Sequence, residues 1–336
     1  ILWDISYGIN DIAYWTLMPA LTTDQKQRER YGAFARICAN VGMYIVMVGW
    51  QPITAALGNT KESWLLVAAA ISVIYLAFLC FPLFGVKERV AAVQPEEKTT
   101  LKDMWKAIVG NDQLMWTTLA MGLFMIGYCT TTGFATYYMQ YLYGNIDMYA
   151  ILAAVCGVAQ LAALLIFPLF SKRFNRKQLY TGATVLVIIG YAVFAFAEAS
   201  LLLIGAAAVL IFVGQAFIQL LMLMFLADTI EYGQWKTGLR TAGAIQSATT
   251  SGQKFGQGIG SALIGFIMQS TGYDGNLQVQ SAEALQTIQN LFIYGVSVLG
   301  VIMIIIMIFY KLDKEYPQIM RELLEREAKQ MQKNEK

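Results

Sequence analysis

The sequence predicts an all-α polytopic membrane protein, and three observations carry that prediction. Of 336 residues, 57% are apolar and 14% charged, whereas soluble domains run near half apolar and a quarter charged. Nine apolar runs each reach the roughly 20 residues that a helix needs to cross a bilayer, and the short alternating segments of a membrane β-barrel are missing. Basic residues sort by connection: 22 of the 24 Lys and Arg fall in alternate connections, one falls in the others, and Lys254 lies inside a run. By the positive-inside rule this puts Ile1 outside and the C-terminus in the cytoplasm, in a multi-pass protein of the cell membrane.

The runs cover roughly 1–22, 33–57, 64–86, 113–142, 149–170, 179–197, 201–227, 247–271 and 289–310. Three precede the longest internal connection and six follow it. Residues 1–86 therefore read as the remainder of an N-terminal helix bundle and 87–112 as a central cytoplasmic loop. Within that loop the amphipathic "EEKTTLKDMWKAIVGND" predicts a surface helix. Residues 113–310 read as a C-terminal six-helix bundle and 311–336 as a cytoplasmic tail. Two six-helix halves, common among secondary transporters, would make this nine of twelve transmembrane helices, a fragment lacking the first three, which fits a chain opening on Ile1 rather than Met. In the tail, Ile319, Met320, Leu323, Leu324 and Met331 recur at helical spacing. They predict a solvated or interfacial helix, or a docking site for a regulator.

Composition excludes much chemistry. There is no histidine, which removes His-based triads, His-ligated zinc and imidazole proton relays. Cys38, Cys80, Cys129 and Cys156 are isolated in apolar stretches and read as small buried hydrophobes without a disulfide framework. A net charge of +2 gives no reason to expect a nucleic acid partner. The chain is expected not to be an enzyme and to hold no cofactor. The glycines of "GQGIG" follow no strand, so they read as a close-packing helix face rather than a phosphate loop.

The residues that demand a role are ionisable groups inside the runs, each costing about 2.5–3.5 kcal/mol at a bilayer centre. Asp4 and Asp11 lie seven apart in the first run, on a side shared with Tyr7, Gly8, Tyr14 and Trp15. Asp4, near the outer interface, reads as hydrated. Asp11, deeper, reads as a cation or substrate ligand, with a structural ion pair as the alternative. Gln246, Thr250, Gln253, Lys254 and Gln257 form a hydrophilic stripe on the eighth run, and a buried Lys254 needs a carboxylate, for which Asp11 is the deepest candidate. Arg36 is a weaker further charge. Carboxylate, arginine and an aromatic plate are the groups that bind sugar hydroxyls and a sugar face, although composition does not choose sugar over another polar solute.

Five stretches, "DISYGINDIAYWTLMPALT", "NDQLMW", "SKRFNRK", "LADTIEYGQWKTGLR" and "QKFGQGIG", resemble the glycoside-pentoside-hexuronide cation symporters of the major facilitator superfamily. That family includes melibiose, galactoside, xyloside and glucuronide permeases. The resemblance spans the chain, from the fourth helix of such a permease to its twelfth. It implies a major facilitator fold and symport of a sugar with H⁺ or Na⁺ by alternating access, with the bilayer, a small sugar or glycoside and the coupling cation as partners of a functional monomer. Asp11 matches an aspartate serving linked cation and sugar sites, with Lys254 as its charge partner. Trp15 matches a tryptophan stacking on sugar, Arg36 a sugar-site arginine, and Tyr7 and Thr250 further pocket residues. No metal is implied other than Na⁺ at Asp11. Melibiose permease carries threonine where this chain has Gly8, so H⁺ and Na⁺ both stay open. Asp228, Glu231, Lys236 and Arg240 match the loop after the tenth helix, where charge pairing latches a cytoplasmic gate; the alternative is solvated loop charges. A non-transporting sugar sensor and a lipid or drug carrier of the same superfamily remain alternatives for the whole.

Overall fold

Helix follows helix in the computed structural model, which describes residues 2–22, 25–58, 60–86, 100–145, 148–197, 200–238, 241–273 and 280–334. The elements are α1 (Leu2–Leu21), α2 (Gln25–Ala56), α3 (Lys61–Gly85), α4 (Leu101–Gly110), α5 (Asp112–Tyr137), α6 (Met148–Ser171), α7 (Arg176–Ala195), α8 (Leu201–Thr237), α9 (Ala242–Ser270), α10 (Ala282–Asn290), α11 (Val296–Ile308) and α12 (Leu312–Asn334). A π turn over Tyr138–Leu142 prolongs α5, and another over Leu291–Gly295 joins α10 to α11. Side chains supply the caps that helix ends need. Thr60 accepts the N–H of Ser63 and Ser281 that of Ala284, while Asn175 and Gln178 form a reciprocal capping box at α7.

Among the described residues six helical stretches are long and apolar enough to cross a membrane: 61–85, 112–142, 151–171, 176–195, 201–237 and 282–308. Each coincides with an expected span. The other three expected spans are formed as α1, α2 and α9, but these carry the acids, arginines, amides and Lys254 singled out above, and they are not among the six.

The chain divides into two compact units, residues 1–16 with 96–336, and residues 17–95. In the larger unit α8 packs on α6 and α7, α5 on α9 and α11, and α12 on α8. The boundary falls inside α1, where the sequence grouped 1–86 together, because Tyr7, Gly8 and Ile12 lie against α9. In the smaller unit α2 packs on α3, and buried Arg28 of α2 donates from Nε to the Thr22 carbonyl at 2.7 Å.

Glycines on both helices make the α5–α9 contact, among them Gly122, Gly252, Gly256 and Gly260. A Cβ on Gly256 would collide with the backbone of Gly122, so bare backbone is required at Gly256. Three other expectations change. Cys38 and Cys80 are exposed on α2 and α3, and of the four cysteines only Cys156 is buried. The surface helix of the central connection is α4, residues 101–110; residues 87–99 lie outside the described ones. The tail is not a freely solvated helix, since Leu312, Tyr316, Ile319 and Leu323 are buried where α12 meets α8.

Candidate functional site

The α9 sequence places small hydroxyl side chains and one lysine a turn apart, and the structure turns that side toward a cleft of about 660 Å³. Ser247, Thr250, Ser251 and Lys254 supply its polar wall, with Phe255 and Ile259 beside them and Gly8 and Ile12 of α1 opposite. The volume lies in the range of small-molecule sites, and a mostly apolar wall with a few placed polar groups is their usual make-up. The ammonium of Lys254 sits 4.8 Å from the ring centroid of Tyr7, a cation–π contact that positions the charge beside the cleft. One turn along α1, Asp11 is half-buried and accepts the indole N–H of Trp15 at 2.9 Å. Trp15 in turn meets Tyr14 edge to face, with centroids 5.1 Å apart.

The structure thus places Thr250 and Lys254 at the cleft, sets Tyr7 against Lys254, and joins Asp11 to Trp15. It does not join Asp11 to Lys254. Among the described residues no ion pair links them; Lys254 is exposed and rests on Tyr7, and the Asp11 carboxylate is engaged by the indole. The polar stripe also divides. Thr250 and Lys254 face the cleft, whereas Gln253 and Gln257 donate to the sulfurs of Met121 and Met125 on α5, each at 3.7 Å. Arg36 is half-buried on α2, in the smaller unit. Asp4 belongs to α1, and its side chain lies outside the described ones.

A second constellation lies at the far end of α8. The sequence placed Asp228, Glu231, Lys236 and Arg240 in a loop, but nothing between Leu226 and Thr237 breaks a helix, and α8 continues until Gly238 caps it at φ 74°. Arg240 lies outside the described residues. Asp228 and Glu231 are 2% and 4% exposed, which overturns the solvated-loop alternative for both. Their described partners come from other segments of the chain. Asp228 pairs with Arg176 of α7 and accepts the Tyr310 hydroxyl at 3.2 Å. Glu231 accepts the Tyr316 hydroxyl of α12. Lys236 pairs with Asp112 at the start of α5, which also accepts the Tyr232 hydroxyl at 2.8 Å.

Sequence reasoning missed these partners, together with Trp235, whose indole donates to Glu322 at 2.7 Å, and Asn111, which caps α5 while donating to the Thr229 carbonyl at 2.8 Å. The one available signal was local: "NRKQ" is a capping-box pattern, and it starts α7 at Arg176, early enough to make Arg176 a helical residue beside α8. Just beyond the last apolar span, burial pushes the Tyr310 phenol well above its ordinary value, and the Asp228 carboxylate adds to the effect. Burial also raises the Asp313 carboxyl, although that group accepts the backbone N–H of Lys177 at 2.7 Å.

A polytopic helical membrane protein with a cleft between helices that carries a few placed polar groups, and with buried charges tied helix to helix, belongs structurally with the major facilitator transporters. The chain is a member of the MFS/sugar transport protein family, whose model matches residues 1–314, and within it of the glycoside-pentoside-hexuronide type. It is 30% identical over 280 residues to the lactose permease of Lactobacillus delbrueckii subsp. bulgaricus, covering 81% of this chain and 45% of that protein. With the isoprimeverose transporter of Lactiplantibacillus pentosus it shares 26% identity over 334 residues, covering 97% of this chain and 69% of that one. The chain therefore spans under half of that lactose permease. In fold it resembles a crystal structure of the Escherichia coli fucose:proton symporter, with a TM-score of 0.65 at 13% identity over 90% of this chain and 73% of that one.

Proposed function

We propose that this chain forms part of a secondary transporter that moves a glycoside, pentoside or hexuronide across the cell membrane together with H⁺ or Na⁺, by alternating access. The observation that carries the reading is the cleft, where hydroxyls and one ammonium line a sugar-sized space within an otherwise apolar helical protein. Relatives named for lactose and isoprimeverose transport support a sugar as cargo. Asp11 exchanges the cation and holds a sugar hydroxyl, with Lys254 as its charge partner at another stage of the cycle. Trp15 stacks on the sugar, Arg36 donates to it, and Tyr7 and Thr250 complete its pocket. Asp228, Glu231 and Lys236, with Arg240, form the cytoplasmic gate, and the C-terminus is cytoplasmic. The working unit is a monomer.

The test is uptake of radiolabelled lactose, raffinose and isoprimeverose by proteoliposomes holding the whole protein, under an imposed H⁺ gradient and separately a Na⁺ gradient. Accumulation of one sugar under one gradient supports the reading. Equilibration without accumulation would remove the coupling, and no uptake of any sugar would remove the transport role.

A further inference from the structure

Gln246 is 4% exposed and does not line the cleft, yet its amide Nε2 donates to the hydroxyl oxygen of Thr250, which does, at 3.1 Å. Hydroxyls mid-helix ordinarily donate back to a carbonyl one turn earlier, and the neighbours do so: Ser247 to the Gly243 carbonyl at 2.8 Å and Thr249 to the Ile245 carbonyl at 2.9 Å. Thr250 makes no such bond among the described residues; its hydroxyl oxygen instead accepts from Gln246. A hydroxyl has one proton, and with its oxygen engaged by an N–H that proton is left to give away. The other end of the amide makes the arrangement costly, because the Gln246 Oε1 is buried with no partner. A buried, half-satisfied amide is rare enough in proteins to ask for a reason.

We infer that Gln246 is a positioning residue, which holds Thr250 as a hydrogen-bond donor toward the cleft and so selects a cargo that presents an acceptor oxygen there, such as a ring or glycosidic oxygen. This rests on the reading that the cleft holds the cargo. The opposite setting of the amide, with Oε1 accepting the Thr250 proton, would make Thr250 an acceptor toward the cleft. The two settings predict opposite effects of removing the amide, because an N–H donated to position 250 favours loss of its proton and an accepting oxygen opposes it.

The first measurement needs no sugar. In the whole protein with every native cysteine replaced by alanine, Thr250→Cys is alkylated with N-ethylmaleimide in proteoliposomes, with and without Gln246→Leu or Gln246→Glu. An N–H donated to sulfur favours the reactive thiolate, so Gln246→Leu should slow labelling about fivefold, the factor of one ordinary hydrogen bond. Gln246→Glu should slow it further. Equal rates in all three would overturn the inference, as would faster labelling with Gln246→Leu, the result expected if Oε1 accepted the proton.

The second measurement uses whichever of lactose, raffinose or isoprimeverose is carried. Gln246→Leu and Thr250→Val should each raise KM about fivefold with little change in maximal rate, and the double variant should be no worse than Thr250→Val alone. Additive losses would reduce Gln246 to a packing residue and overturn the inference. If none of the sugars is carried, the transport reading falls, while the labelling rates still decide the direction of the hydroxyl.

Discussion

Asp11 and Arg176 show how differently two charges can be held. Asp11 is half-buried and bonded to one indole, so its carboxylate keeps room for a further ligand. Asp11→Asn in the whole protein should therefore keep sugar binding, because an amide still hydrogen-bonds a hydroxyl, and should abolish gradient-driven accumulation; parallel binding and uptake measurements check it. Arg176 is committed. It pairs with Asp228, whose side chain is 3% exposed, and also donates to the Met224 carbonyl at 3.2 Å. Arg176→Leu should cost about 3–5 kcal/mol, mostly from stranding a buried carboxylate, and adding Asp228→Leu should recover much of that loss. Thermal unfolding in detergent of the single and double variants reads both effects. Their roles differ in legibility for a physical reason: a lone acid in an apolar run announces itself, whereas the Arg176–Asp228 pair spans 52 positions and only folding brings it together.

At the scale of elements, apolar period and length were enough to place the long helices, since those signals are local. The boundaries at polar ends were not. The last turns of α8 are as charged as a loop, and they stay helical because Arg176, Tyr310, Tyr316 and Asp112 satisfy the charges there. The junction of α12 with α7 carries a pH dependence of definite sign. Asp313 has its carboxyl pK raised by burial, so the folded state keeps this proton to a higher pH than the unfolded chain does. The contribution is complete below the ordinary carboxylate range and is lost as pH rises through the raised value. Relative to the wild type, Asp313→Asn should thus gain stability as pH climbs from below the carboxylate range to neutrality. Melting temperatures of the two proteins across that interval check the trend, and a constant difference would contradict it.

For the whole molecule the basic residues make the boldest statement, because 22 of 24 lie in alternate connections. A reporter inserted within 171–178 or after Lys336 should be active only in the cytoplasm, and one within 272–288 only outside. Finding 171–178 outside would overturn the order of spans. The cleft was legible only in part: Lys254 and Thr250 stood out by type, but the aromatic face of Tyr7, against which Lys254 rests, did not announce itself as its neighbour. Finally, α8 has 37 residues, about 55 Å at 1.5 Å per residue, against a hydrocarbon core of about 30 Å. Its protruding end is bolted to α12 through Glu231–Tyr316 and Trp235–Glu322. The tail is therefore a pointer fixed to a rigid shaft. A fluorophore on an exposed α12 position such as Gln318 will swing through a longer arc than any label at the cleft, so small tilts of the bundle become easiest to see where the chemistry is absent.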